Sequence, residues 1–232
     1  MLTSTSTPRT GLITVISDTI CPWCFVGKRR LDTALSVLKR EGLEFEVEWR
    51  PFQLNPDMPD EGSDRRIYRT AKFGTAKSDS LDAQMVEIGA RSGIAFRYDL
   101  IERTPNTLAS HVMIADARRA GGLMLQNAAV EALFTAYFVE GRDVGHPHVL
   151  CDIALQVGFD FGASVSAELW ELTQQEDNEA RQSGVSGVPT FLLDGHYLFG
   201  GAQPAEEMVR TLRSAFEKTA DTEQTAWLGS QQ

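Results

Sequence analysis

Cys21-Pro22-Trp23-Cys24 constrains this chain more than any other stretch. Alone, Cys-x-x-Cys is either half of a zinc site or a redox pair. Its flanks separate the two. Residues 11–17 read GLITVIS, a short β-branched run bounded by Gly and Asp, which predicts a buried strand. From Phe25 to Glu41 the apolar residues Val26, Leu31, Leu35 and Leu38 fall at helical spacing, and Gly42 stands where a helix would stop. The thiols therefore lie on a strand-to-helix turn, with Cys21 at the helix N-terminus. Pro22 suits the first helical position, where no N–H is needed. First-turn N–H groups and the helix dipole favour an anion there. Cys21 is thus expected to attack as the thiolate, and Cys24, one turn in, to resolve. Zinc needs two further ligands, and no second cysteine pair exists. His146-x-His148 is many elements away and reads as a loop leading into a helix at Pro147. A histidine in the place of Trp23 would bring positive charge to the thiolate. Trp23 brings none, so the dithiol is expected to be less oxidising than one with a basic residue there. A lid contact is the other use for Trp23.

A second stretch lies far away in sequence. Gly187-Val188-Pro189-Thr190-Phe191 precedes two apolar runs, 191–193 and 197–199, joined by Asp194-Gly195. Asp-Gly between such runs predicts a hairpin. Cys-Pro-Trp-Cys after a strand, with Val-Pro-Thr-Phe before a hairpin, resembles the thioredoxin superfamily. More narrowly it is similar to the DsbA family and its FrnE-like branch, related to 2-hydroxychromene-2-carboxylate isomerase and kappa-class glutathione transferase. Residues 49–56 (WRPFQLNP), Asn106-Thr107 ahead of His111, and residues 201–204 (GAQP) carry the same likeness. It runs from about Ile13 to the last helix. It implies that the Val188–Pro189 bond is cis, that this loop faces Cys21, and that Val188 offers its backbone to an extended substrate. Thr190 is expected to hydrogen-bond locally.

The order is strand 11–17, helix 25–41, strand 44–50, a Pro- and Asp-rich loop over 51–62, then helices, then the hairpin and a helix from Pro204 to about 219. Helices are predicted at 64–73, 79–92, 105–120, 122–140, 147–157 and 166–183, punctuated by glycines. The tail, 220–232, is polar apart from Trp227-Leu228 and is expected to be loose. The fold class is α/β: a thioredoxin-like fold with an inserted all-helical domain. The thioredoxin-like part takes 1–62 and 184–232, and the insertion 63–183.

The chain has 232 residues, 42% of them hydrophobic, and a net charge of −10. That charge argues against nucleic acid and anionic membranes as partners. No apolar run reaches the ~18 residues of a spanning helix. The first ten residues are rich in Ser and Thr and lack the apolar core of a secretory signal, so the expected location is the cytoplasm. Three cysteines are too few for a disulfide framework. Cys151, on a predicted helix, reads as an apolar core filler.

Other residues carry alternatives. Asp18 either caps the first helix or relays a proton to Cys24. Lys28-Arg29-Arg30 is either a solvated face or a receiver for an anionic thiol such as glutathione. His111 reads as a satisfied core histidine. The resemblance also admits a substrate-side role for His111 and Asn106, and for Asn55. The function expected is a dithiol–disulfide oxidoreductase or isomerase, with protein or small-molecule thiols and disulfides as partners. No tightly bound cofactor or metal is expected, and glutathione is a candidate co-substrate. The alternatives are a glutathione-dependent isomerase or transferase, whose relatives generally carry Ser where Cys21 stands, and a holdase using the apolar cleft around Trp23 and Val188.

Overall fold

The computed structural model describes residues 10–162 and 165–229. A four-stranded sheet of order β2-β1-β5-β6 forms its centre. β1 (Thr10–Ser17) pairs parallel with β2 (Glu44–Pro51) through α1 (Pro22–Arg40). β5 (Thr190–Leu193) runs antiparallel to β1 on its other side, and β6 (His196–Gly200) closes the far edge. β1 is an inner strand because it is apolar on both faces: Ile13 and Val15 on one are fully buried, and Ile16 on the other is buried too. Asp194-Gly195 makes the tight hairpin turn with positive φ at both residues, as the sequence predicts.

Between β2 and β5 the chain is helical except for a ribbon of two-residue strands, β3 (Ser63–Asp64) and β4 (Arg103–Thr104). Neither strand is long enough to show a period in sequence. α2 (Arg65–Phe73) starts where Asp64 accepts the Ile67 N–H. α3 (Thr75–Arg91) begins four residues before the apolar spacing that announces it. Its first turn, Thr75-Ala76-Lys77-Ser78, carries no large apolar residue, so no pattern marks it. α4 (Leu108–Phe138) is broken at Gly121 and Gly122, whose backbone leaves helical geometry, so the two expected helices are its two limbs. Gly122 has φ of 72°, a region that favours glycine. α5 (Pro147–Val157) and α6 (Ala167–Gln182) follow. His146 is the N-cap of α5 without a side-chain capping bond. α7 (Ala205–Gly229) runs ten residues past its expected end. The segment that follows residue 219, ADTEQTAWL, has no Gly or Pro to break a helix before Gly229. The side chains of Trp227 and Leu228 lie outside the described residues, as do Met1–Arg9 of the Ser/Thr-rich start.

One contact seats α4 on the sheet and another packs it against α1. Gln126 of α4 donates to the Trp49 carbonyl (2.9 Å) and accepts the Trp49 N–H (3.0 Å), completing the free edge of β2. Phe25, next to Cys24, stacks on Phe134 with ring centroids 5.1 Å apart and meets Phe96 edge-on at 6.1 Å. Lys28, 3% exposed, pairs with Glu131 of α4 (3.0 Å) and Asp32, and Arg29 also pairs with Glu131. Arg30 donates to the Ala202 carbonyl at 2.6 Å. Lys28-Arg29-Arg30 is therefore neither a solvated face nor a receiver for an anionic thiol: it clamps α1 to its neighbours.

Candidate active site

β1 ends at Ser17 and the chain turns through Asp18, Thr19 and Ile20 into α1. The Asp18 carbonyl accepts the Cys21 N–H at 3.1 Å and closes this turn. Cys21 is itself the N-cap of α1, with Pro22 behind it and no side-chain capping bond. The N-cap position puts Cys21 beside the free first-turn N–H groups of α1. Cys21 is 5% exposed and Cys24 fully buried, and neither is in a disulfide. Burial pushes the Cys24 thiol well above the ordinary value, helped by its hydrogen bond and charge interaction with Cys21. The Ser17 hydroxyl and the Asp18 backbone N–H act in the opposite sense. The pair is thus asymmetric: one thiol faces outward at a helix N-terminus, and the other sits behind it in a dry setting.

The Val188–Pro189 bond is cis. The Val188 carbonyl accepts from the Cys21 sulfur at 3.7 Å. Thr190 donates to the Gly187 carbonyl at 2.8 Å and tightens this loop. Gly27 lets α1 and the loop approach: a Cβ there would lie 3.1 Å from the Pro189 ring.

A cavity of about 360 Å³ opens over Cys21. Pro22 and Trp23 form one wall, Gly187 and Val188 another, and Leu54 and Asn55 a third. The rest comes from Ile20, from α2, α3 and α4, and from Tyr98, Ile101 and Thr104 between α3 and α4. Trp23, 40% exposed, borders the cavity from α1. The wall from α2 is cationic. Arg65 and Arg69 share one carboxylate, Asp82, at 2.7 and 2.8 Å, and Lys72 donates to Asn55 (3.0 Å) and to the Tyr68 hydroxyl (2.6 Å). Three cations against one anion leave this wall positive. Sequence reasoning looked for such charge in Lys28-Arg29-Arg30 and missed α2. The signal was present: Arg65, Tyr68, Arg69 and Lys72 recur at spacings of three and four, one helix face.

The remaining candidates fall elsewhere. Asp18 does not cap α1. It is fully buried, with Oδ2 accepting the Leu54 N–H at 2.7 Å and Oδ1 lying 3.4 Å from Nε2 of His111. Asn106 does not border the cavity. It braces the loop that carries Asn55, donating to the Met58 carbonyl (2.7 Å) and accepting from Gln53 (3.1 Å). His111, on α4, is 4% exposed and borders a different cavity. Its Nε2 has the Asp18 carboxylate 3.4 Å away and makes no hydrogen bond among the described residues. Cys151 is half-buried against the core and donates to the Phe161 carbonyl at 3.1 Å. Among the described residues no cluster of three His, Cys, Asp or Glu could hold a metal ion.

A parallel β-α-β unit, an antiparallel hairpin behind a cis proline, and a Cys-x-x-Cys at the first helix define a thioredoxin-like protein. The DsbA-like thioredoxin domain model matches residues 12–213, and the chain belongs to that family. A curated relative, the uncharacterized protein YwbO of Bacillus subtilis, is 25% identical over 224 residues, covering 91% of this chain and 96% of that protein. A probable DsbA oxidoreductase from Streptomyces coelicolor shares 28% identity with a TM-score of 0.74, over 89% of this chain and 90% of that one. The cytosolic disulfide reductase DsbM from Pseudomonas aeruginosa, solved with GSH, shares the fold at 17% identity and a TM-score of 0.59, over 90% and 98% of the two chains.

Proposed function

We propose that this protein is a dithiol–disulfide oxidoreductase acting through Cys21 and Cys24. The observation that carries the reading is the asymmetric pair itself: Cys21 at the helix N-cap beneath an open cavity, and Cys24 sealed one turn behind it. The Cys21 thiolate attacks a disulfide R–S–S–R′. The Cys21–S–S–R bond forms and R′S⁻ leaves with the electron pair of the broken bond. Cys24, losing its proton, then attacks the Cys21 sulfur. The Cys21–Cys24 bond forms, RS⁻ departs, and the protein is oxidised by the two electrons the substrate gains. The reverse sequence donates a disulfide. The Val188 backbone, whose carbonyl lies 3.7 Å from the Cys21 sulfur, suits an extended partner lying beside Cys21.

Thiols bearing a carboxylate suit the cationic wall of Arg65, Arg69 and Lys72, and glutathione is the co-substrate we infer from that charge. Retention of both sulfurs supports redox exchange over glutathione-dependent isomerisation. The cytoplasmic placement belongs to the same proposal, supported by a cysteine count too low for a disulfide framework. Equilibration in glutathione redox buffers, followed by tryptophan fluorescence, tests the reading. A reversible two-electron transition, lost in Cys21→Ser, is expected. Glutathione that binds without any transition would overturn it.

A further inference from the structure

Cys24 has to lose a proton to resolve the mixed disulfide, yet it does not border the cavity above Cys21. With substrate seated there, a proton has no exit on that side. A second cavity, of about 380 Å³, lies between the ends of β1 and β2 and the helices α4 and α6. The two cavities share no lining residue. Ser17 borders the second one, is 5% exposed, and its hydroxyl interacts with the Cys24 thiol. His111 borders it too. Behind His111 stands Asp18, its Oδ1 3.4 Å from Nε2. Both atoms are sealed from solvent with no other partner. A histidine held by a buried carboxylate on one ring nitrogen presents the other as a base, the arrangement by which an oriented imidazole accepts protons.

Resting on the dithiol–disulfide reading above, we propose that this second cavity is the proton route of Cys24, with Ser17 as the relay and His111, held by Asp18, as the acceptor. In the resolving step the Cys24 proton passes to the Ser17 hydroxyl as that hydroxyl hands its own proton to cavity water and on to His111. The electron pair left on Cys24 forms the bond to Cys21, and the substrate thiolate leaves through the first cavity. No electron enters or leaves by the second. Asp18, from the turn after β1, faces His111 directly, and the charged groups that border the same cavity are Arg118 and Arg119 from its own helix, Arg50 from β2 and Glu176 from α6. Arg50 is paired with Glu176 at 2.8 Å, and Arg118 with the buried Glu48. This balances most of the charge at the cavity and leaves a proton on His111 tolerable.

Both steps can be read in one trace. Reduced Cys151→Ser protein is mixed with excess 5,5′-dithiobis(2-nitrobenzoate). The first thionitrobenzoate released reports attack by Cys21, at a rate set by reagent concentration. The second reports resolution by Cys24, at a rate independent of it. At pH 7, His111→Gln and Ser17→Ala should each lower the ratio of second to first rate by about 100-fold, the low end of what general acid–base assistance supplies. The deficit should shrink as pH rises and hydroxide takes the proton instead. Asp18→Asn keeps the oxygen that accepts from Leu54 and should show the same loss. A ratio unchanged within about twofold across these variants, or a fall of both phases together, would overturn the route. If the unsubstituted pair shows no concentration-independent second phase, the dithiol reading falls and the route falls with it.

Discussion

Cys24 separates the two oxidation states of this protein in their response to pH. Burial raises its thiol well above the ordinary value of 9.0. A thiol raised on folding contributes stability that is complete below the unfolded value and is lost as pH climbs through the folded one. The reduced protein should therefore lose more stability above pH 9.0 than the oxidised protein, in which Cys24 has no proton to lose. Thermal melts of both forms from neutral to alkaline pH check this, and parallel curves would contradict it. Lys72 acts on the partner instead. Exposed charges contribute little, so Lys72→Ala should raise KM for a carboxylate-bearing disulfide by about two- to fivefold, and salt should erase the difference. Kinetics at low and high ionic strength measure it. At this scale the sequence was most legible where chemistry is local: Cys21, Pro22 and Cys24 follow from a strand, a turn and a helix. Asp18 was misread as a cap because its partner, His111, arrives from a helix about ninety residues away.

At the scale of elements, the join between α1 and the Pro189 loop is closest at Gly27. Gly27→Val should destabilise by about 1–3 kcal/mol through overpacking. It should also displace Val188 from Cys21, lowering the rate of Cys21 attack more than the stability loss explains. Denaturant unfolding alongside the first kinetic phase distinguishes these effects. Gln126 is the corresponding join between α4 and β2. Gln126→Ala leaves the Trp49 N–H and carbonyl without partners, at about 1–3 kcal/mol for each group orphaned. Chemical denaturation reads this loss. The strand and helix periods announce most elements here, including the two limbs of α4 on either side of Gly121-Gly122. They say nothing of the β3–β4 ribbon, whose strands are too short for a period, or of the first turn of α3, which carries no large apolar residue.

Over the whole molecule, the redox turn and the helices share one aromatic core. Phe25 follows Cys24 directly and packs among Phe96, Phe134 and Phe138. Phe25→Ala should cost about 3–5 kcal/mol, the range for truncating a buried aromatic. The loss should appear in urea unfolding as a lower midpoint. The sequence by itself determined the fold class, the reactive pair and the proline loop, because each is written in neighbouring residues: period, caps, turn dipeptides and the spacing of two thiols. Only the tertiary structure decided which charges face Cys21, what holds Asp18, and that two separate cavities flank the cysteine pair. Lys28-Arg29-Arg30 lies close to the thiols in sequence and is spent on ion pairs and a backbone contact. Arg65, Arg69 and Lys72 are distant in sequence and line the site. Long-range packing makes that choice, since a side chain's partner depends on which helix face meets which strand, and no local pattern encodes that.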